Sequence, residues 1–306
     1  MSPRAPRSSP RSAWLVLVLA LAAPAAVAQS GGTAGGAGGA GGAAAPAADE
    51  AAEAAGMSVV ATIDDAVDQH DPVKIKPVFE TLDTTWPRLS QKTIKRVEKS
   101  IGAMFAKLKP RESRDVDTLG DDARNGRFKP EDEPDGKSDN QKADVLDCYH
   151  SAIGLLYDKP DGPSVLLPVL KLPHVKTWPE VQVLVLEGLG YREDPALAKE
   201  FEAYLRHEST LVACAAAEAL GHLRDQPQDV RRRAAGAVVD AFCAAEKASE
   251  KEAGKVGEDD EHPARRYLSS ITVSFREALT ALTQQTLAKP SEWRAWFDAH
   301  GKDASW

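Results

Sequence analysis

An apolar stripe at helical spacing recurs six times along this chain, and in several copies a break, a proline and a second helix follow it. Val181, Leu184, Val185, Gly188 and Leu189 fall at i, i+3, i+4, i+7 and i+8. Thirty-one residues on, Val212, Ala215, Ala216, Ala219 and Leu220 repeat that spacing. The same pattern runs through Val145, Cys148, Tyr149, Ala152, Ile153 and Leu156, and through Ile271, Phe275, Ala278, Leu279 and Leu282. Val59, Ile63, Ala66 and Val67 match it, as do Ile94, Val97, Ile101 and Phe105. A stripe of this period is one buried face of an amphipathic helix. Helix pairs that recur bury their faces against their neighbours, so the expected fold is all-α: an alpha-alpha superhelix, or solenoid.

The second helix of several pairs opens at a proline: Pro72, Pro163, Pro195, Pro227 and Pro290. Proline is tolerated at the first helical position because its missing N–H has no partner there. Asp71 and Asp194, just ahead of two of these prolines, are candidate caps. A longer repetition overlays the first. Pro72 and Pro77 recur 91 residues later as Pro163 and Pro168, and Thr85-Trp86-Pro87 recurs 92 residues later as Thr177-Trp178-Pro179. Each Trp-Pro is expected to open a helix, and the first part of the domain reads as a copy of the middle.

The amino terminus reads differently. Arg4, Arg7 and Arg11 precede a short apolar core over 13–22, and Ala26-Val27-Ala28 before Gln29 is a small-x-small site. That order is a secretory signal peptide over 1–28, with cleavage after Ala28. The apolar run falls short of the about 20 residues a membrane span needs. The expectation is an exported chain, periplasmic or extracellular, with no stable membrane insertion after cleavage. Residues 29–56 are almost all Gly and Ala and read as a flexible linker, with Ala51 to Ala55 as a stretch that could extend the first helix backward. Helical repeats follow over 57–108, a charged loop over 109–140 and further repeats over 141–306.

Cleavage would remove three arginines and no acids, leaving 35 basic against 46 acidic residues, a net of −11. Such a balance opposes binding to nucleic acid, which needs a positive field. The three cysteines, Cys148, Cys214 and Cys243, lie in apolar helical stretches. They read as small buried side chains, with a Cys214–Cys243 bridge as the alternative.

The segments 187–205 (EGLGYREDPALAKEFEAYL) and 217–242 (AEALGHLRDQPQDVRRRAAGAVVDAF) carry Ala-Leu-Gly-x-Leu before a break and Asp-Val-Arg-x-x-Ala-Ala in the next helix. In these the chain resembles the HEAT-repeat superfamily. The stretch 279–301, with Trp293-x-x-Trp296, is similar to the closing helix of exported bacterial HEAT-repeat proteins. The resemblance covers 141–301, is weaker over 57–108 and is absent from 109–140. Armadillo-like and other alpha-alpha superhelices fit the same residues. The uneven repeat spacing of 36, 31 and 59 disfavours a tetratricopeptide array. The resemblance implies a scaffold that binds proteins along a concave surface and offers no catalytic residue to carry over.

No motif for chemistry holds. His207-Glu208 lacks the second histidine of a zinc helix, and Cys148 and His150 are spaced to diverge on a helix. The acids Asp115, Asp117, Asp121 and Asp122, and then Glu131, Glu133 and Asp135, miss the spacing of a calcium loop. We therefore expect no catalytic, cofactor or metal residues. Candidate contacts for an unidentified protein partner are Arg231, Arg232 and Arg233, which could pair with carboxylates, and Trp293 and Trp296, which could anchor a partner or cap the last repeat. The alternatives are an enzyme or enzyme accessory with a site near the 109–140 loop, and a structural part of the cell envelope.

Overall fold

Asp49 ends the Gly/Ala stretch by capping a helix: its side chain accepts from the Ala51 N–H at 2.9 Å, and Glu50 and Glu53 fill the first turn. Acids there complement the helix dipole. Helix α1 (Glu50–Gln69) therefore starts ahead of the expected boundary at residue 57 and stops where His70 turns left-handed at φ 55°. The computed structural model describes residues 49–109, 137–253 and 262–303; over 137–142 only the backbone is described. The signal segment and most of the linker lie outside these residues, as does 110–136 of the charged loop.

Among the described residues eleven further α-helices follow and there is no strand. They are α2 (Lys76–Thr85), α3 (Gln91–Lys107), α4 (Lys137–Leu156), α5 (Gly162–Val169), α6 (Pro173–Lys176) and α7 (Pro179–Gly190). Then come α8 (Ala198–Glu202), α9 (Thr210–Gly221), α10 (Gln228–Ala253), α11 (Pro263–Thr283) and α12 (Pro290–His300). Helix α4 reaches back into the segment expected to be loop, beginning at Lys137.

The prolines act as helix openers unevenly. Pro290, Pro163 and Pro179 sit in the first turns of α12, α5 and α7. Pro72 and Pro195 open 3-10 turns, and only Asp194 caps with its side chain, accepting from Ala196 N–H at 2.9 Å. The two Trp-Pro pairs also part ways. Trp178-Pro179 leads straight into α7, whereas Trp86-Pro87 forms a 3-10 turn and α3 waits for Ser90, whose side chain caps Thr93 N–H. Pro77 lies in the first turn of α2, but its counterpart Pro168 lies inside α5. The 91-residue recurrence is thus one of burial more than of element boundaries: both Trp86 and Trp178 are core residues.

The main helix contacts link near neighbours in the chain. One series runs α2, α4, α7, α9, α11; another joins α1, α3 and α5; a third joins α8, α10 and α12. Within the first series the register is regular. Arg192, just after α7, donates to the carbonyl of Tyr157, just after α4, at 2.7 Å. The Tyr191 and His222 rings, at the ends of α7 and α9, lie 5.0 Å apart. Cys214 and Glu218 on α9 meet Ser270 and Ser274 on α11. Gly188 also lies against Ile153 and Gly190 against Ala219, so partner numbers rise together in each pairing and α4, α7, α9 and α11 run parallel. The 31-residue recurrence in sequence is the spatial offset between α7 and α9.

The stripes named above are buried except at Leu184, which is half-buried. Ile63, Ile101, Val145, Val185, Leu220 and Phe275 have no exposure. Aromatic contacts join elements: Phe105 on α3 meets Tyr149 on α4 edge-on at 4.7 Å, and Phe242 on α10 lies 5.6 Å from Phe275 on α11. The Tyr149 hydroxyl, 2.8 Å from the Phe105 carbonyl oxygen and 2.5 Å from that of Leu108, ties the end of α3 to α4. That gives two of the unpaired carbonyls of a helix end a donor to share.

Candidate functional site

Arg231, Arg232 and Arg233 begin α10, and the fold uses all three. Arg231 donates through Nη1 to the carbonyl of Leu282 near the end of α11 at 3.3 Å. Arg232 donates to the carbonyl of Asp303, beyond α12. Arg233 grips Glu202 of α8 with two bonds, Nε to Oε1 at 2.8 Å and Nη2 to Oε2 at 3.2 Å. Successive residues on a helix point about 100° apart, so each arginine serves a different neighbour. All three make internal ties, and Arg233 keeps 57% of its side chain exposed.

Trp293 has no exposure. It packs inside the last helix contact, with its ring 6.4 Å from Trp296 in a T-shape. Trp296 is half-buried and stacks on His300 at 5.3 Å. Of the two, only Trp296 keeps surface that a partner could touch; Trp293 caps the core. Helices α10 and α12 run antiparallel, with Arg294 bonded to Asp240 and Cys243 Sγ 3.3 Å from the Pro290 carbonyl. The arginine run therefore lies by the carboxyl end of α12 and Trp293 toward the other end.

The three cysteines are free. Cys148 and Cys243 are buried and Cys214 is half-buried, so the expected burial holds for two. Burial pushes the Cys148 thiol up to about 12 and moves the other two in the same direction. A thiol raised this way is a poor nucleophile at neutral pH. Among the described residues no three His, Cys, Asp or Glu side chains come together as a metal set. The acids of the charged loop fall outside these residues. No helix among the described residues is long and apolar enough to cross a membrane.

What the parallel series does present is one surface strip shared by its helices. Helices α7 and α9 are buried on nearly every side, so each shows a narrow line of side chains: Glu187 and Tyr191 from α7, Leu211, Cys214 and Glu218 from α9. Tyr191 is 63% exposed and Leu211 62%, with Val273 of α11 at 61%. Isolated exposed apolar residues are ordinary, but these lie on adjoining parallel helices. Two acids sit beside them. Burial, and then the nearby Glu218 charge, push the Glu187 carboxyl up. Glu218 accepts from the Ser274 hydroxyl at 2.9 Å.

Sequence reasoning passed over these acids, although a signal was there. Glu187 and Glu218 are 31 residues apart, the offset of the recurring stripe, and each directly precedes its closing small-Leu pair. A charged residue at a repeated position next to a buried face marks where helices line up. No protein-family model, curated protein or solved structure matches this chain.

Proposed function

We propose that this chain is an exported, non-catalytic scaffold of HEAT-like helical repeats that binds another protein. The observation that carries this reading is the parallel series α4, α7, α9, α11, in which each helix packs on the next. Stacked repeats of this kind offer extended surfaces for partners. The resemblance of 187–205 and 217–242 to HEAT motifs points the same way, as does the signal-peptide pattern over 1–28. The strip of Glu187, Tyr191, Leu211 and Glu218 is the contact surface in this reading. Tyrosine is among the residues enriched at the anchoring points of interfaces.

The test is a crosslinking pull-down from the native cell envelope, with the chain from Gln29 onward as bait and mass spectrometry of what is retained. One dominant protein should be held by the wild type and lost with the double variant Tyr191→Ser, Leu211→Ser. Both side chains are exposed, so the variant should stay folded. Retention of nothing, or of a partner indifferent to that variant, would remove the reading. Charge reversal at Arg231–Arg233 is the wrong probe, because it would break three internal ties.

A further inference from the structure

Helices α3 and α5 leave a groove of about 340 Å³ between them. It opens at Gly102, where a side chain is missing and the nearest atom of α5, Val165 Cγ1, stands 4.0 Å from where a Cβ would be. Val165, Pro168 and Val169 form its apolar wall, and Lys95, Glu98 and Lys99 its polar side. Glu98 is only 9% exposed, and its Oε1 is buried without a hydrogen-bond partner. A buried acceptor without a donor is unfavourable and calls for a use. Lys95 and Lys99 are exposed, and neither makes a salt bridge among the described residues. The charged groups that face Glu98 are Asp161, at the start of α5, and Lys95 on its own helix. Burial first, and then Asp161, push its carboxyl up against the opposing pull of Lys95.

We propose that this groove binds an amphiphilic monocarboxylate, with its alkyl chain on Val165, Pro168 and Val169 and its headgroup between Lys95 and Lys99 against Glu98. Clefts of roughly 300–1,000 Å³ suit small molecules of this kind. Two carboxyl groups at one site hold a single proton rather than ionise together. Glu98 carries that proton and donates it in a hydrogen bond to the ligand carboxylate, and that carboxylate and Asp161 together balance the two ammonium groups. A cationic amphiphile would meet two lysines instead. The groove lies away from the strip on α7 and α9, and the proposal stands whether or not the chain is a scaffold.

The test is isothermal titration calorimetry of the full chain with decanoate, decylamine and acetyl-leucine, all below micelle formation. Decanoate should saturate one site, and decylamine and acetyl-leucine should bind at least about tenfold more weakly. The variant Lys95→Glu, Lys99→Glu changes exposed side chains, keeps its helical circular dichroism and should weaken decanoate about tenfold or more. Wild-type affinity for decanoate should fall as pH rises through the titration of Glu98, because the shared proton is lost; Glu98→Gln, whose amide always donates, should abolish that fall. Tight binding of decylamine would overturn the proposal. So would acetyl-leucine binding as tightly as decanoate, which would reassign the groove to a peptide carboxyl terminus. Indifference of decanoate to the lysine reversal, or an unchanged pH profile in Glu98→Gln, would overturn it as well.

Discussion

Helices α1 and α3 at one end and α7, α9 and α11 toward the other are both parallel neighbours, but they are held in register by different means. Polar side chains strap the first pair. Glu53 accepts from the Ser90 N–H and the Thr93 hydroxyl, Ser100 donates to Asp64, and Lys107 lies 3.8 Å from Asp68. In the second group small residues let backbones approach. A Cβ on Gly188 would stand 2.9 Å from Ile153 Cγ2, one on Gly190 2.9 Å from Ala219 Cα, and one on Gly221 3.1 Å from Ala278 Cα. Directional bonds fix register by geometry that charge can switch. Close packing fixes it by volume, which charge leaves alone. The first region should therefore loosen in acid, and the second should answer chiefly to side-chain size.

Core truncation sets the baseline, because both regions rest on the same apolar burial. Leu220 on α9 and Ile101 on α3 have no exposure. Leu220→Ala and Ile101→Ala should each cost about 2–5 kcal/mol, read as a shift of the urea midpoint at unchanged slope. A loss below about 1 kcal/mol at one site only would mean that one region contributes little to the cooperative core. That would break the comparison at its root.

Glycine substitutions then separate the regions. In Gly190→Ala the new methyl meets the Ala219 backbone. Backbone cannot rotate away, so a cost of about 1–3 kcal/mol is expected. In Gly56→Ala on α1 the methyl meets Leu89 Cδ2 and Thr93 Cγ2, both at 2.8 Å. These are side-chain methyls, and the Leu89 end can turn. The gain in helix propensity of roughly 0.5–1 kcal/mol offsets part of the crowding, so the net change should stay below about 1 kcal/mol. Equal losses in paired urea titrations would contradict the distinction between straps and close packing.

Acid should act in opposite directions on the two regions. Hydrogen bonds from Thr93 and Ser90 hold Glu53 below its ordinary value of 4.5. Its contribution is present above that value and is lost as pH falls through the lower folded one. Burial and Glu218 raise Glu187 above the same ordinary value. Its folded form favours the proton, so that contribution is full below 4.5 and fades as pH rises through the raised value. Hydrogen exchange followed by mass spectrometry, corrected for intrinsic rate, should show α1 and α3 losing protection in acid before α7 and α9. Simultaneous loss in both would sink the idea that acid loosens only the first.

The helix faces and the α7–α9 offset were legible because burial imposes a period that sequence cannot hide. Element edges were less so. Helix α1 begins at Glu50 because Asp49 caps it, a local bond that composition masks in an Ala-rich stretch. Trp86-Pro87 does not open α3, because Ser90 offers a better cap a few residues on. The neighbours of the candidate contacts were not legible. A run of three arginines reads as a patch in one dimension, yet the helix fans it toward Glu202, Leu282 and Asp303. Which neighbour each meets depends on α8, α11 and the end of α12, and none of those is local in sequence. Glu98 was invisible for the same reason: its burial comes from α5.

Arg233 gives the smallest effect and tests whether the arginines are struts alone. Its guanidinium is 57% exposed and its partner Glu202 is 23% exposed. Water and salt screen such a pair, so Arg233→Ala should cost less than about 1 kcal/mol even with two bonds to the carboxylate. A similar loss in Glu202→Ala, and no further loss in the double variant, would show that the two side chains act as one pair. Should Arg233→Ala instead leave stability untouched while releasing a partner captured by the wild type, the arginine would be a contact after all. The binding surface would then extend from the α7–α9 strip across α8 onto α10. Stability and retention measured on the same variant separate these outcomes, because a strut alters the first and a contact the second.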